Sequence, residues 1–283
     1  MRSRGIFVCL ALPTLLIAGC NTAPAPPFAL PSVAPSEPPV TVTLAPVKQV
    51  LPGAVDAGRM PPVVNHGPRS RKVVALTFDA DMTDVMLRNL DSGKVKSYAN
   101  IRILDILQER QIPATFFITG LWAERYPKVT TRIVQDSRFE VANHTYRHSA
   151  YTPNCYTLPQ LPRTEMTGDA RRTFDVLTTF GGNQTRYFRF PGLCHDNAAL
   201  TALAPLGVTV VDGDVISGDP FATASAPIVS AVLDRVQAGS IIVLHITEAN
   251  AAFTDEALTP ILDGLAARGL TPVKLSDLLS PAP

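Results

Sequence analysis

Two apolar patterns alternate along most of the chain. Short runs rich in β-branched and aromatic residues recur at 73–78, 114–118, 139–144, 187–190, 208–211, 241–246 and 271–275. Several are almost continuously apolar, as strands buried on both faces are, which predicts a parallel sheet covered by helices. Between the runs the spacing changes. Ile101, Leu104 and Leu107, and again Met166, Ala170, Phe174 and Leu177, recur at three- and four-residue steps that gather them on one side of a helix. Alternating strand and helix predicts an α/β fold, open or closed into a barrel. In either architecture functional groups belong at the carboxyl ends of the strands.

The chemistry-bearing residues fall at those ends. Asp79 and Asp81 follow the first run, His144 and His148 the third, Arg189 lies in the fourth, Asp212, Asp214 and Asp219 follow the fifth, and His245 closes the sixth. They are therefore expected to share one mouth. The chain has five histidines, and two of them stand four apart in NHTYRH at 143–148. On a helical turn that spacing brings both imidazoles to one side, within reach of a single ion. A zincin protease would need Glu beside the first histidine, and Thr145 stands there. Asp214 is equally well read as the cap of a following helix.

The first 67 residues read differently. Arg2 and Arg4 precede an apolar stretch at 6–17, with Ala18 and Gly19 before Cys20, the pattern of an export signal. The stretch is too short for a comfortable membrane span. IAGC at 17–20 resembles a bacterial lipobox, which implies that Cys20 is the lipidated first residue of the mature protein, anchored in a membrane by its acyl chains. Asn21 fits passage to an outer membrane facing the periplasm in a double-membraned host. From 21 to 67 Pro, Ala and Val dominate with hardly any charge, as in a semi-rigid extended linker, so one folded domain is expected over 68–283. At 283 residues, 46% hydrophobic and 17% charged, the chain supports one sizeable core. A formal charge of +1 provides no basic field for nucleic acid, and nothing marks a protein partner. In an oxidising exported compartment the two remaining cysteines beyond the linker, Cys155 and Cys194, are read as a disulfide.

With these residues in place, the chain resembles the polysaccharide deacetylases of carbohydrate esterase family 4 over about 72–277. Five motifs stand in the family's order: TFDAD at 77–81, HTYRH at 144–148, RFPG at 189–192, DGDVISGD at 212–219 and LH at 244–245. The resemblance implies a distorted (β/α) barrel of about seven parallel strands and a metal held by one Asp and two His, with a position left open for water. Three protein ligands and a free site make a catalytic arrangement in which bound water ionises near pH 7. By the same resemblance Asp79 is the general base, Asp81, His144 and His148 are the metal ligands, and Arg189 pairs with Asp79. His245 is the general acid, favoured in its charged form by Asp219. Gly192 is expected to offer a backbone N–H to the oxyanion, and Leu244 to line a pocket for the acetyl methyl. The implied substrate is an N-acetylated polysaccharide such as peptidoglycan or a chitin-like glycan. The implied ion is zinc first, with cobalt, nickel or iron also suited to the donors.

Three departures from the family pattern stand out. Ala80 separates two aspartates that the family has side by side. In an extended strand residues i and i+2 share a face, so both carboxylates still reach the mouth, although which one takes the metal stays open. The third motif lacks the family's usual aromatic, and the fourth runs Asp219-Pro220 with Phe221 the nearest aromatic. These positions shape the sugar-binding floor and imply a different or shorter glycan. His195 and Asp196, beside Cys194, suit either substrate binding or a solvated loop. An O-acetyl esterase acting on a xylan-type polymer, or a glycan-binding lipoprotein of the same fold without turnover, are the competing functions.

Overall fold

The computed structural model describes residues 50–280; the export signal, Cys20 and most of the linker lie outside the described residues. Among the described residues nine strands form one sheet in which every strand pairing is parallel: β1 (Val63–Val64), β2 (Val73–Ala80), β3 (Ala114–Ile118), β4 (Phe139–Asn143), β5 (Gln184–Phe188), β6 (Thr209–Val211), β7 (Val215–Ile216), β8 (Ile241–His245) and β9 (Thr271–Val273). The order is β1-β6-β5-β4-β3-β2-β8-β7, with β9 on Val73–Ala75 at the start of β2. All seven expected strands are present. The two additional ones have two residues each, too few for any period to register.

Strand parity separates two apolar layers. Leu76, Phe78 and Ala80 of β2, Phe116 and Ile118 of β3, and Ile242 and Leu244 of β8 point outward into one cluster. There they meet Met86 of α1 (Asp84–Asp91), Leu104 of α2 (Ile101–Glu109), Trp122 of α3 (Gly120–Arg125), Ile133 of α4 (Pro127–Gln135), Ile228 of α7 (Ser225–Leu233) and Ile261 of α8 (Thr254–Ala267). A second outer cluster packs α5 (Met166–Thr179) and α6 (Asn197–Leu203) over Phe188 and Val210. Inward, Ala75, Phe117, Ala142, Tyr187, Val211 and Ile241, drawn from six strands, meet in a single cluster plugged by Leu275 and Leu278 of α9 (Leu275–Leu279). Six strands touch one centre only if the sheet curls. It curls into half a barrel, in which β1 and β7 are the edges among the described residues and do not pair with each other.

The folded part begins earlier than the expected boundary at 68. β1 pairs with β6, Val55 N–H donates to Gly207 O at 3.1 Å, and Arg186 N–H donates to Pro52 O at 2.7 Å. The physical reason is that proline depletes donors without preventing an edge strand, where one side of the backbone needs no partner. Helix starts are set locally. Thr83, Asn100 and Thr119 accept from the backbone N–H of Met86, Arg102 and Trp122, and so cap α1, α2 and α3 just beyond strand ends or loops. Among the described residues no helix is long and apolar enough to cross a membrane.

Candidate metal centre and its cavity

The loop leaving β2 is held from both sides. Ile246 N–H donates to Asp79 O at 3.0 Å, Thr119 N–H to Ala80 O at 3.1 Å, and Asp81 N–H to the Thr247 hydroxyl at 3.0 Å. Ala80 is fully buried in the outer layer, so Asp79 and Asp81 both turn inward, as strand parity requires. The two carboxylates flanking the inserted alanine have different nearest partners. Asp79 Oδ1 accepts from Arg189 Nη1 at 2.6 Å, whereas Asp81 Oδ1 lies 3.4 Å from His144 Nε2 and 3.3 Å from His148 Nε2.

The two histidines converge without a helix. Residues 144–149 form a loop in which Thr145 (φ 67°) and His148 (φ 54°) adopt left-handed backbone. The expected helical turn is therefore corrected: two reversals, rather than a 3.6-residue period, bring the ring centroids to 4.9 Å. The first N–H groups of α3, which no helix can satisfy internally, pin this loop by donating from Gly120 to Thr145 O and from Leu121 to Tyr146 O.

The donors fit a cation. Ligand atoms of Asp81, His144 and His148 all lie within 4.8 Å of one another. His144 Nδ1 is 2.9 Å from Arg189 O, and a carbonyl only accepts, so Nδ1 carries the proton. Nε2 is then the ring atom left to face a carboxylate oxygen that is buried and has no hydrogen-bond partner. A cation between the ring nitrogens and this oxygen would satisfy them together. Burial pushes the His148 imidazole down to about 4, into the neutral form that ligates metals. Burial would raise the Asp81 carboxyl, but His148, His144 and His245 around it hold it below the ordinary carboxylate range.

On the far side of this triad, His245 Nε2 is 3.9 Å from Asp81 Oδ2. Its Nδ1 donates to Asp219 Oδ1 at 2.8 Å, and its backbone N–H donates to Asp219 Oδ2 at 2.7 Å. The hydroxyls of Ser217 and Thr254 each donate to the same carboxylate at 2.7 Å. Burial would lower the His245 imidazole, but the Asp219 charge outweighs it and pushes it up to about 10. Arg189 is fully buried with its guanidinium 4.0 Å from the centre of the Phe117 ring, and its Nε also donates to Val211 O.

A cavity of about 720 Å³ opens onto these groups, lined by Asp79, Asp81, His144, His148, His245 and the backbone of Gly192, with an apolar rim. Two expectations change. Leu244 does not line it: His245 points inward, so its neighbour on the strand points outward and is buried in the helix-side core. Asp212 and Asp214 also stay out, one facing His195 Nε2 at 2.9 Å and the other accepting from Arg69, Ser240 and Ile241 N–H. Asp214 therefore caps no helix, while Asp196 caps α6. Cys155 and Cys194 are joined in a disulfide beside the rim. The sequence reading missed Ser217, Thr247 and Thr254, whose hydroxyls carry no spacing signal, and Tyr156 at the rim.

Residues 66–211 match a protein-family model described as polysaccharide deacetylase. A chitooligosaccharide deacetylase of Sinorhizobium fredii is 30% identical over 177 residues, 59% of this chain and 79% of that protein. Among solved structures, a peptidoglycan N-acetylglucosamine deacetylase is 25% identical with a TM-score of 0.63, covering 78% of this chain and 94% of its own. A carbohydrate esterase family 4 pseudoenzyme from Bacillus anthracis is 23% identical with a TM-score of 0.62, over 78% of this chain and 69% of its own, a likeness of fold alone.

Proposed function

The chain belongs to the polysaccharide deacetylase family, and on that premise we propose that it is a metal-dependent hydrolase removing acetyl groups from an N-acetylated polysaccharide of the cell envelope, peptidoglycan first. One observation carries the reading: the unpartnered, buried Asp81 Oδ1 faces both His144 Nε2 and His148 Nε2. A divalent cation held by these three, zinc or otherwise cobalt, nickel or iron, would polarise the acetyl carbonyl and acidify a bound water.

The protein's own groups supply the proton transfers. Arg189 fixes one oxygen of Asp79 and leaves Oδ2 on the side of His144, at 3.7 Å from Nε2, oriented to take a proton from the attacking water. As water adds to the carbonyl carbon, the N–H of Gly192 in the cavity wall is assigned to the developing oxyanion. The C–N bond then breaks. His245, kept charged by Asp219, gives its proton to the leaving amine, and acetate departs. The altered first motif is compatible with turnover because Asp79 and Asp81 divide the roles of base and ligand between them.

Lipidation at Cys20 and a linker through about residue 49 would tether this domain to a membrane facing the cell wall. The Cys155–Cys194 disulfide supports an oxidising compartment.

The test is acetate release from defined N-acetyl oligosaccharides, with elemental analysis of the same preparation. Chelation is expected to abolish release, and His144→Ala or Asp79→Asn to lower it by at least about 100-fold while the fold is retained. Undiminished release by the stripped enzyme overturns the reading. Release from O-acetyl but not N-acetyl oligosaccharides turns it into an esterase.

A further inference from the structure

Eight large apolar side chains are exposed among the described residues, and four of them, Val85, Tyr156, Ile216 and Phe221, line the cavity over the metal centre. Single exposed apolar residues are ordinary, but half of them gathered at one opening marks a surface made for a ligand. Tyr156 and Phe221 are 68% and 75% exposed, yet their rings stack with centroids 6.0 Å apart and planes 25° from parallel.

Tyr156 comes from a loop outside the five motifs and stands over Gly192. A Cβ at Gly192 would meet Cδ2 and Cε2 of the Tyr156 ring at 2.9 Å. The ring thus occupies the space that a side chain at 192 would need. The third motif has no aromatic aimed into the cavity, and one is delivered there from a different part of the chain. Its placement is enforced. Tyr156 (φ 51°) and Leu193 (φ 58°) hold left-handed backbone that bulky residues rarely keep unless the surroundings impose it, and the Cys155–Cys194 disulfide joins the two loops at this point.

We propose that Tyr156 is a substrate-binding residue, and that Tyr156 and Phe221 together form an aromatic floor for the sugar ring next to the one being deacetylated, kept in place by the Cys155–Cys194 disulfide. A gluco-configured pyranose carries its polar substituents around its edge and C–H bonds on its faces, so it fits against the exposed outer face of a near-parallel aromatic pair. The substrate class is therefore an oligosaccharide or polymer spanning more than one sugar unit. This deepens the deacetylase reading and rests on it.

The experiment measures kcat and KM for acetate release from N-acetylglucosamine oligosaccharides of increasing length. Tyr156→Ala and Phe221→Ala are each expected to raise KM on the longer oligosaccharides about tenfold while kcat changes less than about threefold. Tyr156→Phe restores the wild-type KM. The double variant Cys155→Ser/Cys194→Ser raises KM in the same way, as does reduction of the wild-type protein. Unchanged KM in Tyr156→Ala, or a Tyr156→Phe variant as impaired as the alanine one, overturns the floor. If the wild type releases no acetate from any oligosaccharide, the deacetylase reading fails instead. Calorimetric binding of the same oligosaccharides then decides the floor by itself: weaker affinity in Tyr156→Ala supports it, and equal affinity overturns it.

Discussion

Asp219 accepts from Ser217, from Thr254 and twice from His245, so a buried carboxylate has donors on both oxygens and stays charged. Burial would raise it, yet His245 and these donors hold it below the ordinary range. The charge in turn keeps the imidazole protonated up to about pH 10. In Asp219→Asn burial remains and its opposing charge is gone, so the His245 pKa falls and the acid form is lost at lower pH. The alkaline limb of the kcat profile should move to lower pH, with a greater loss near pH 8 than near pH 6; an unmoved limb would contradict this role for Asp219. His245 was legible in the sequence because it closes a strand-like run, and Asp219 through the family resemblance of the stretch at 212–219. Thr254 was not, since a hydroxyl 35 residues from its partner leaves no pattern, nor was Ser217, since a serine two residues from an aspartate is ordinary in a loop. Leu244 shows the opposite error: family position suggested the pocket, while alternation with His245 already assigned it to the core.

Among elements, β2 decides the most. It pairs with β3 and β8 along its length and delivers Asp79 inward while Phe78 and Ala80 pack outward. Its apolar run, like the other six, was readable because a strand buried on both faces leaves a continuous signal. The capping residues Thr83, Asn100 and Thr119 mark helix starts in the same local code. The His144–His148 loop was not readable as it folds, because left-handed backbone at Thr145 and His148 depends on what α3 and Arg189 offer it. The amphipathic end helix α9 closes the inner layer with fully buried Leu275 and Leu278. Leu278→Ala should destabilise the domain by about 2–5 kcal/mol in denaturant unfolding, because the curled sheet cannot collapse into the gap. A cost below about 1 kcal/mol would mean that α9 is not the plug described.

For the molecule as a whole, the convergence of distant groups on one rim was predictable, since every parallel strand ends on the same side. The degree of curl was not, since it depends on how six inward side chains and α9 pack at the centre. These three donors are gathered only in the folded chain, so a cation that they bind links metal to fold. A divalent ion at 100 times its Kd should stabilise the native state by about 2.7 kcal/mol, a rise in Tm of roughly 5–10 °C for a domain of this size. His148→Ala should abolish most of that rise; an equal rise in the variant would place the ion elsewhere. An incompletely closed sheet also has two borders that a full barrel lacks, and exposed borders invite other polypeptides to add on. Here both are two-residue strands, Val63–Val64 and Val215–Ile216. Such short margins offer too little free main chain to template intermolecular pairing, so the half-barrel keeps its entrance wide without becoming prone to fibrous association.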